Sequence, residues 1–166
     1  MKINNFFKLV VAIAIAEGAG IVGAFFTSPA VSSVWYQNLA KPALNPPAWV
    51  FAPVWITLYA LMGISLFLIW KQHPYILKNV RMLFVWKIGL AAFFIQLFLN
   101  ALWSIIFFGL HSLGGALIEI VFLWLAILVT IIAFYKISRP AAWLLLPYIL
   151  WVSFAGYLNY AIWMLN

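Results

Sequence analysis

The sequence predicts an all-α fold: an integral membrane bundle of five transmembrane helices, forming one domain over residues 1–166. Two observations carry this. Hydrophobic residues make up 69% of the chain and charged residues only 7%, where a soluble domain carries about a quarter charged. The apolar residues also fall into five stretches, each long enough for the roughly 20 helical residues that a bilayer requires.

The spans read as 6–26, 47–70, 82–108, 113–135 and 141–164. The first carries Lys2 and Lys8 ahead of its apolar run, as a signal peptide does. It continues past Glu17 to Phe26, longer than a signal core, and so reads as a span. Thr27-Ser28-Pro29 opens the first loop and Lys71-Gln72-His73-Pro74 the second. Gly109 to Gly115 makes a short third turn and Ser138-Arg139-Pro140 a tight fourth. Only the first loop, about 27–46, is long enough for structure of its own. No internal repeat, low-complexity segment or second domain stands out.

Five spans put the termini on opposite sides. Lys2, Lys8, Lys71, Lys78, Arg81, Lys87, Lys136 and Arg139 then share the N-terminal side, with Lys41 alone on the other. This asymmetry predicts a cytoplasmic N-terminus and an outer C-terminus, and helical spans favour a bacterial inner membrane. The +7 net charge does not imply nucleic acid, because the basic residues are scattered singly instead of gathered on one face.

Polar side chains within spans should face protein or a cavity, and helical spacing shows which face that is. Gln96, Asn100, Trp103 and Phe107 form one stripe in the third span. Glu119, Phe122, Ala126 and Thr130 form another in the fourth, and Tyr148, Trp151, Ala155 and Asn159 a third in the fifth. Trp55, Tyr59 and Met62 share a face of the second span. Two readings compete: packing seams, which favour small residues, and a pocket for a flat apolar ligand, which suits large amphipathic rings beside amides. The ridge Ala12, Ala16, Gly20 and Ala24 of the first span fits a seam, inside the monomer or at a dimer face. The aromatics of spans two, three and five fit a pocket. Trp35, Trp70, Trp86 and Trp143 lie near span ends, where indoles anchor to the membrane interface.

Glu17 and Glu119 are the only acids. A charge at mid-bilayer costs about 2.5–3.5 kcal/mol on insertion scales, so a neutral structural acid is the plain reading and proton coupling the sharper one. There is no cysteine, and His73 and His111 lie at span ends without a second ligand at metal spacing, so no metal site is expected. No phosphate-binding glycine loop, hydrolase nucleophile motif or HExxH occurs.

The stretch KPALNPPAWVFAPVWITLY, residues 41–59, is the most unusual in the chain. Pro46 biases Asn45 away from helix, and Pro47 fits a first helical turn. With Pro42 they give the loop a fixed, extended entry into the second span. Pro53 and Pro147 lie deeper, just before Trp55 and Tyr148, and should kink or loosen their helices.

KPALNPPAWVFAPVWITLYALMG resembles the signature of the TspO/translocator protein family, also called peripheral benzodiazepine receptors or tryptophan-rich sensory proteins. QLFLNALWSIIFF and LLLPYILWVSFAGYLNYAIW are similar to the same family, as are Trp35-Tyr36 and the acid of the fourth span. The resemblance covers nearly the whole chain. It implies a five-helix membrane bundle, commonly a homodimer, that binds porphyrins such as protoporphyrin IX and heme-type tetrapyrroles. It also implies isoquinoline carboxamide and benzodiazepine-type ligands, in a pocket between the helices beneath the first loop. Family ligand residues correspond to Trp55, Asn100, Trp151 and Ala155. With the stripes, the expected wall becomes Trp49, Trp55, Tyr59, Gln96, Asn100, Trp103, Tyr148, Trp151 and Ala155, under a lid of Trp35, Pro42, Pro46 and Pro47. No intrinsic cofactor is expected; the porphyrin is a ligand.

Trp151 also corresponds to the tryptophan linked to light-dependent porphyrin breakdown in bacterial members, and would be the catalytic residue if that chemistry operates here. Two departures stand out. Leu44 replaces a tryptophan usual between the lysine–proline and the double proline. Tyr160 is followed by no basic residue, so the cholesterol motif of animal members is missing. Val129, Tyr135 and Arg139 fit that loose pattern only by chance, and cholesterol binding is not expected. Three functions follow in order: tetrapyrrole receptor or sensor, with or without transport; light- and oxygen-dependent porphyrin degradation; and a proton-coupled small-molecule transporter, suggested by Glu17 alone.

Overall fold

A computed structural model describes residues 4–76 and 79–166, so Lys2 and Lys78 lie outside the described residues. Among the described residues seven α-helices follow in order: α1 Asn5–Val31, α2 Val34–Asn38, α3 Ala48–Ile76, α4 Val80–Ser104, α5 Leu113–Tyr135, α6 Arg139–Trp143 and α7 Leu146–Leu165. Five stretches, Asn5–Val31, Ala48–His73, Val80–Gly109, Leu113–Tyr135 and Arg139–Leu165, are long and apolar enough to cross a membrane. The protein is an all-helical, multi-pass membrane bundle.

The helix ends follow local chemistry. Asn4 Oδ1 accepts the Phe6 N–H at the start of α1, and Asn79 Oδ1 accepts the Met82 N–H at the start of α4. α1 runs through Thr27-Ser28-Pro29, where the sequence suggested a loop. Pro29 removes one N–H, but Thr27 Oγ1 donates to the Gly23 carbonyl, and buried Ala30 anchors the last turn. α3 likewise continues past Lys71-Gln72-His73, because Ile76 is buried against the bundle. The first loop does carry its own structure, the short helix α2, capped by Ser33 Oγ accepting the Tyr36 N–H.

Of the two deep prolines, only Pro147 interrupts its span. It stands in the first turn of α7, where its missing N–H is not needed, and Leu144–Leu145 separate α7 from α6. α3 is continuous through Pro53, whose carbonyl accepts from Thr57 Oγ1 at 2.8 Å. At the far end of α4 the chain widens into a π-turn, Ile105–Gly109. The Leu110 N–H reaches the Ile105 carbonyl and the Ser112 N–H the Ile106 carbonyl. Neighbouring Phe107 and Phe108 are both buried as a result.

Lipid gives helices no hydrophobic reason to associate, so packing and interhelical hydrogen bonds hold the bundle. α1 lies on α3 and α4 on α5, with α7 against α5. Ala12 and Ala16 are fully buried, and a Cβ on Gly20 would collide with the Tyr59 ring. These three ridge positions therefore pack inside the monomer. Ala24 is exposed, and Gly23 takes its place on the inner face, its Cβ position 3.1 Å from Ser104 Oγ. Ser65 Oγ donates to the Ala141 carbonyl at 2.7 Å, and Trp124 Nε1 to Ser153 Oγ at 2.9 Å. Membrane cycles value such bonds at roughly 0.6 kcal/mol each, so close packing carries much of the stability.

In α5 the inward stripe is Glu119, Ile120, Leu123, Ile127 and Thr130. Phe122, expected to share the Glu119 face, is 59% exposed. It lies one step round the helix, where its ring meets lipid.

Candidate functional site

Polar and aromatic side chains from α3, α4 and α7 meet in the middle of the bundle. Tyr59 donates its hydroxyl to Asn100 Oδ1. Asn100 Nδ2 donates to Tyr148 Oη at 3.1 Å, and the Tyr148 hydroxyl donates to Gln96 Oε1 at 2.8 Å. Gln96 Nε2 points at Met62 Sδ, 3.7 Å away. All five are buried, Tyr148 completely. The chain of bonds ties three helices together and satisfies groups that would otherwise stand unpaired in an apolar medium.

Aromatic walls surround this cluster. Trp55 stacks on Tyr59, with ring centres 5.5 Å apart, and meets Tyr148 edge-on at 6.3 Å. Trp151 packs edge-on to Phe51 at 6.0 Å and lies 5.7 Å from Phe154. The Trp151 ring is half-buried, and its Nε1 is buried without an acceptor. An indole N–H left unpaired in an apolar wall is a free donor, costing about 1–3 kcal/mol until an acceptor meets it. Ala155, half-buried, lies one turn beyond Trp151. Trp49, in the first turn of α3, is 75% exposed.

Trp103 belongs to a second, outer cluster. Its Nε1 donates to Asn159 Oδ1 at 3.1 Å, and Asn159 Nδ2 donates to the Leu113 carbonyl at 2.9 Å. Its ring stacks on Phe107 at 4.9 Å. The lid closes over this cluster. Trp35 stacks on His111 at 3.9 Å and meets Phe107 edge-on at 6.2 Å, while Tyr36 packs on Phe108. His111 adopts φ 52°, the left-handed conformation that a tight turn imposes.

The lid is also tied to the end of α7. Asn166 Oδ1 accepts the Ala40 N–H at 3.0 Å, and Asn166 Nδ2 donates to the Ala40 carbonyl at 3.1 Å. This contact puts the first loop and the end of α7 on the same side of the bundle. Within the first loop itself an open pocket of about 430 Å³ lies beside Tyr36, Gln37, Lys41, Asn45, Pro46 and Pro47, and no residue of the aromatic centre lines it. Lys41 Nζ donates to the Tyr36 carbonyl at 2.6 Å and lies 4.5 Å over the Tyr36 ring. Burial pushes the Tyr36 phenol above its usual range. Pro42 is half-buried and its carbonyl accepts the Asn45 N–H, closing the turn that leads into Pro46 and Pro47.

The sequence stripes therefore fall into two groups. Trp55, Tyr59, Gln96, Asn100, Tyr148 and Trp151 lie around one centre, Asn159 binds the first-loop end of the bundle, and Trp103 packs against both. Phe51, Gln37 and Lys41 lie at these surfaces without having been singled out as wall residues; the density of prolines and tryptophans around 41–59 was the only signal for them. Glu119 is buried in α5, and neither of its oxygens has a hydrogen-bond partner among the described residues. Among those residues no group of three His, Asp or Glu side chains gathers as a metal would require.

Fold and site define a class: a multi-pass helical membrane protein with an aromatic and amide centre and a proline-rich first loop. Residues 11–164 match the model of the TspO/MBR family. The chain is 41% identical over 162 residues to the tryptophan-rich protein TspO of Chlorobaculum tepidum, covering 95% of each chain. It is also 41% identical over 162 residues to the protein of the same name from Archaeoglobus fulgidus, covering 98% of this chain and 99% of the relative. With the translocator protein of Bos taurus it shares 41% over 132 residues, 80% of this chain and 75% of the relative. The chain belongs to the TspO/MBR family.

Proposed function

We propose that this protein is a membrane receptor or sensor for flat, apolar aromatic ligands, above all porphyrins such as protoporphyrin IX. Isoquinoline carboxamide and benzodiazepine-type compounds fit the same site. The ligand enters beneath the lid of Trp35, Pro42, Pro46 and Pro47 and lies against Trp55, Tyr59, Asn100, Tyr148, Trp151 and Ala155. Gln96 and Trp103 support that wall from α4, and exposed Trp49 forms its rim. One observation supports this reading above the others: rings and amides from three helices converge, and the Trp151 indole N–H there lacks an acceptor. A flat ligand with a carbonyl or carboxylate edge satisfies that donor while its faces stack on indole. Ligand binding requires the Tyr59–Asn100–Tyr148 cluster to open, so the free protein holds the site closed. The proposal extends to a homodimer in a bacterial inner membrane, N-terminus inside, with tetrapyrrole transport as one outcome of binding.

A second reading rests on Trp151 as well. An oxidisable indole against the ligand suits light- and oxygen-dependent porphyrin breakdown. Titrating protoporphyrin IX in the dark while following tryptophan fluorescence, then illuminating, separates the two. Saturable quenching with intact porphyrin absorbance is expected for a receptor. Absorbance loss under light that disappears in Trp151→Phe supports degradation. Fluorescence that does not respond to the porphyrin overturns both, and Trp151→Phe binding as tightly as the parent removes Trp151 from the wall.

A further inference from the structure

At the end of the bundle away from the lid, α4 and α5 leave a groove of about 160 Å³. Ala133 forms its floor. Val85 and Ile88, three residues apart on α4, make one wall, and Val129 and Ile132 on α5 the other. Lys136 closes one end. The groove begins where α4 comes down onto α5 at Gly89, whose Cβ position is 3.1 Å from both the Ala133 methyl and the Phe134 ring. A side chain at 89 would crowd both groups, and glycine lets the two helices approach closely there.

Ile88, Val129 and Ile132 are exposed, on helices that cross the membrane, so the medium that meets these walls is acyl chain. The head of the groove has a definite charge. Lys136 is exposed there, and Arg81, Lys87 and Arg139 are exposed at the same end of the bundle. The Arg139 guanidinium lies over the Tyr135 ring, 5.4 Å from its centre. No acid offsets them, because Glu17 and Glu119 both lie within spans. An apolar groove ending at an uncompensated ammonium matches a single amphiphile with an anionic head.

We propose that this groove binds one anionic glycerophospholipid, an acyl chain along Ala133 and the phosphate on Lys136, with Lys87 and Arg139 adding positive potential. The site is separate from the lid and the aromatic centre, so it stands or falls independently of the porphyrin reading. Val129, Tyr135 and Arg139 also fit a loose sterol pattern, but Tyr135 does not line the groove and Arg139 lies over one face of its ring.

Native mass spectrometry of the full-length protein with equimolar, chain-matched phosphatidylglycerol and phosphatidylcholine tests this. One basic residue near an anionic surface changes affinity about fivefold. One phosphatidylglycerol should therefore be retained over phosphatidylcholine by at least that factor, and Lys136→Ala should reduce the preference about fivefold. Val129→Trp, filling the groove from the lipid side, should lower retention of both lipids, and Ile88→Trp serves the same purpose should that variant not fold. Lys8→Ala, at the same end but on α1, where its ammonium lies over Trp70 of α3, should leave the preference unchanged. Equal retention of the two lipids overturns the proposal. So does a loss in Lys8→Ala as large as in Lys136→Ala, displacement of the phospholipid by cholesterol, or equal thermal protection by inorganic phosphate alone.

Discussion

Tyr148→Phe removes one oxygen from the most buried part of the molecule and leaves the shape of the ring intact. The Tyr148 hydroxyl donates to Gln96 Oε1 at 2.8 Å and accepts from Asn100 Nδ2 at 3.1 Å. Its loss deprives both amides of a partner at a position without solvent. Interhelical bonds in membranes average about 0.6 kcal/mol, whereas a buried group left unpaired costs about 1–3 kcal/mol. Two bonds and two orphaned groups place the expected loss near 2 kcal/mol, bounded below by about 1. For a chain of this size that lowers Tm by about 4–8 °C. Thermal unfolding in a fixed lipid or detergent medium, followed by intrinsic fluorescence, measures it. Adding Gln96→Leu should recover part of the loss, because it removes one orphaned amide, and the cycle should show coupling of about 0.5–1.5 kcal/mol. A Tyr148→Phe protein that melts within 1 °C of the parent would refute the claim that this cluster holds the three helices together.

Two further outcomes test the helix seam and the lid. Gly20→Ala places a methyl group into the Tyr59 ring, which is 5% exposed and tied to Asn100, so overpacking should cost about 1–3 kcal/mol. Gly18→Ala meets nothing within 4 Å and should leave Tm unchanged or slightly raised; equal melting of the two variants would contradict the close α1–α3 contact. Asn166→Ala removes both bonds to Ala40 and should raise amide exchange in residues 39–45 about three- to tenfold with little change in Tm. Exchange that stays the same would show that the lid does not depend on the end of α7.

Polar residues made most of the architecture legible. In a membrane chain nearly every residue is apolar, so hydropathy finds spans but not faces; Gln96, Asn100, Tyr148 and Asn159 reported the inward faces because lipid cannot satisfy them. Apolar stripe members were less secure: Phe107 and Met62 do face inward, but Phe122 does not. Phe122 took its face from Glu119 by spacing alone, and one helical step separates the interior from lipid. Helix ends were misjudged where polar or proline residues signalled a stop that burial of Ala30 and Ile76 overrode. The lid's attachments had no local signal: Asn166 meets Ala40 across 126 positions, and His111 reaches Trp35 through a turn whose left-handed residue is not glycine. The sequence placed Trp55, Asn100 and Trp151 on facing surfaces, but not the hydrogen bonds by which Tyr59, Asn100, Tyr148 and Gln96 close on one another.

The π-turn at Ile105–Gly109 has a consequence for how this chain tolerates change. A regular helix turns about 100° per residue, so two adjacent phenylalanines point in different directions; the single surplus residue here lets Phe107 and Phe108 both support Trp35 and Tyr36. Deleting Ile105 or Ile106 would restore ordinary helical winding and swing Phe108 out towards the acyl chains. Half of the platform under the roof would vanish without a single aromatic having been mutated. The segment should accept substitutions of similar size far more readily than it accepts a change in length.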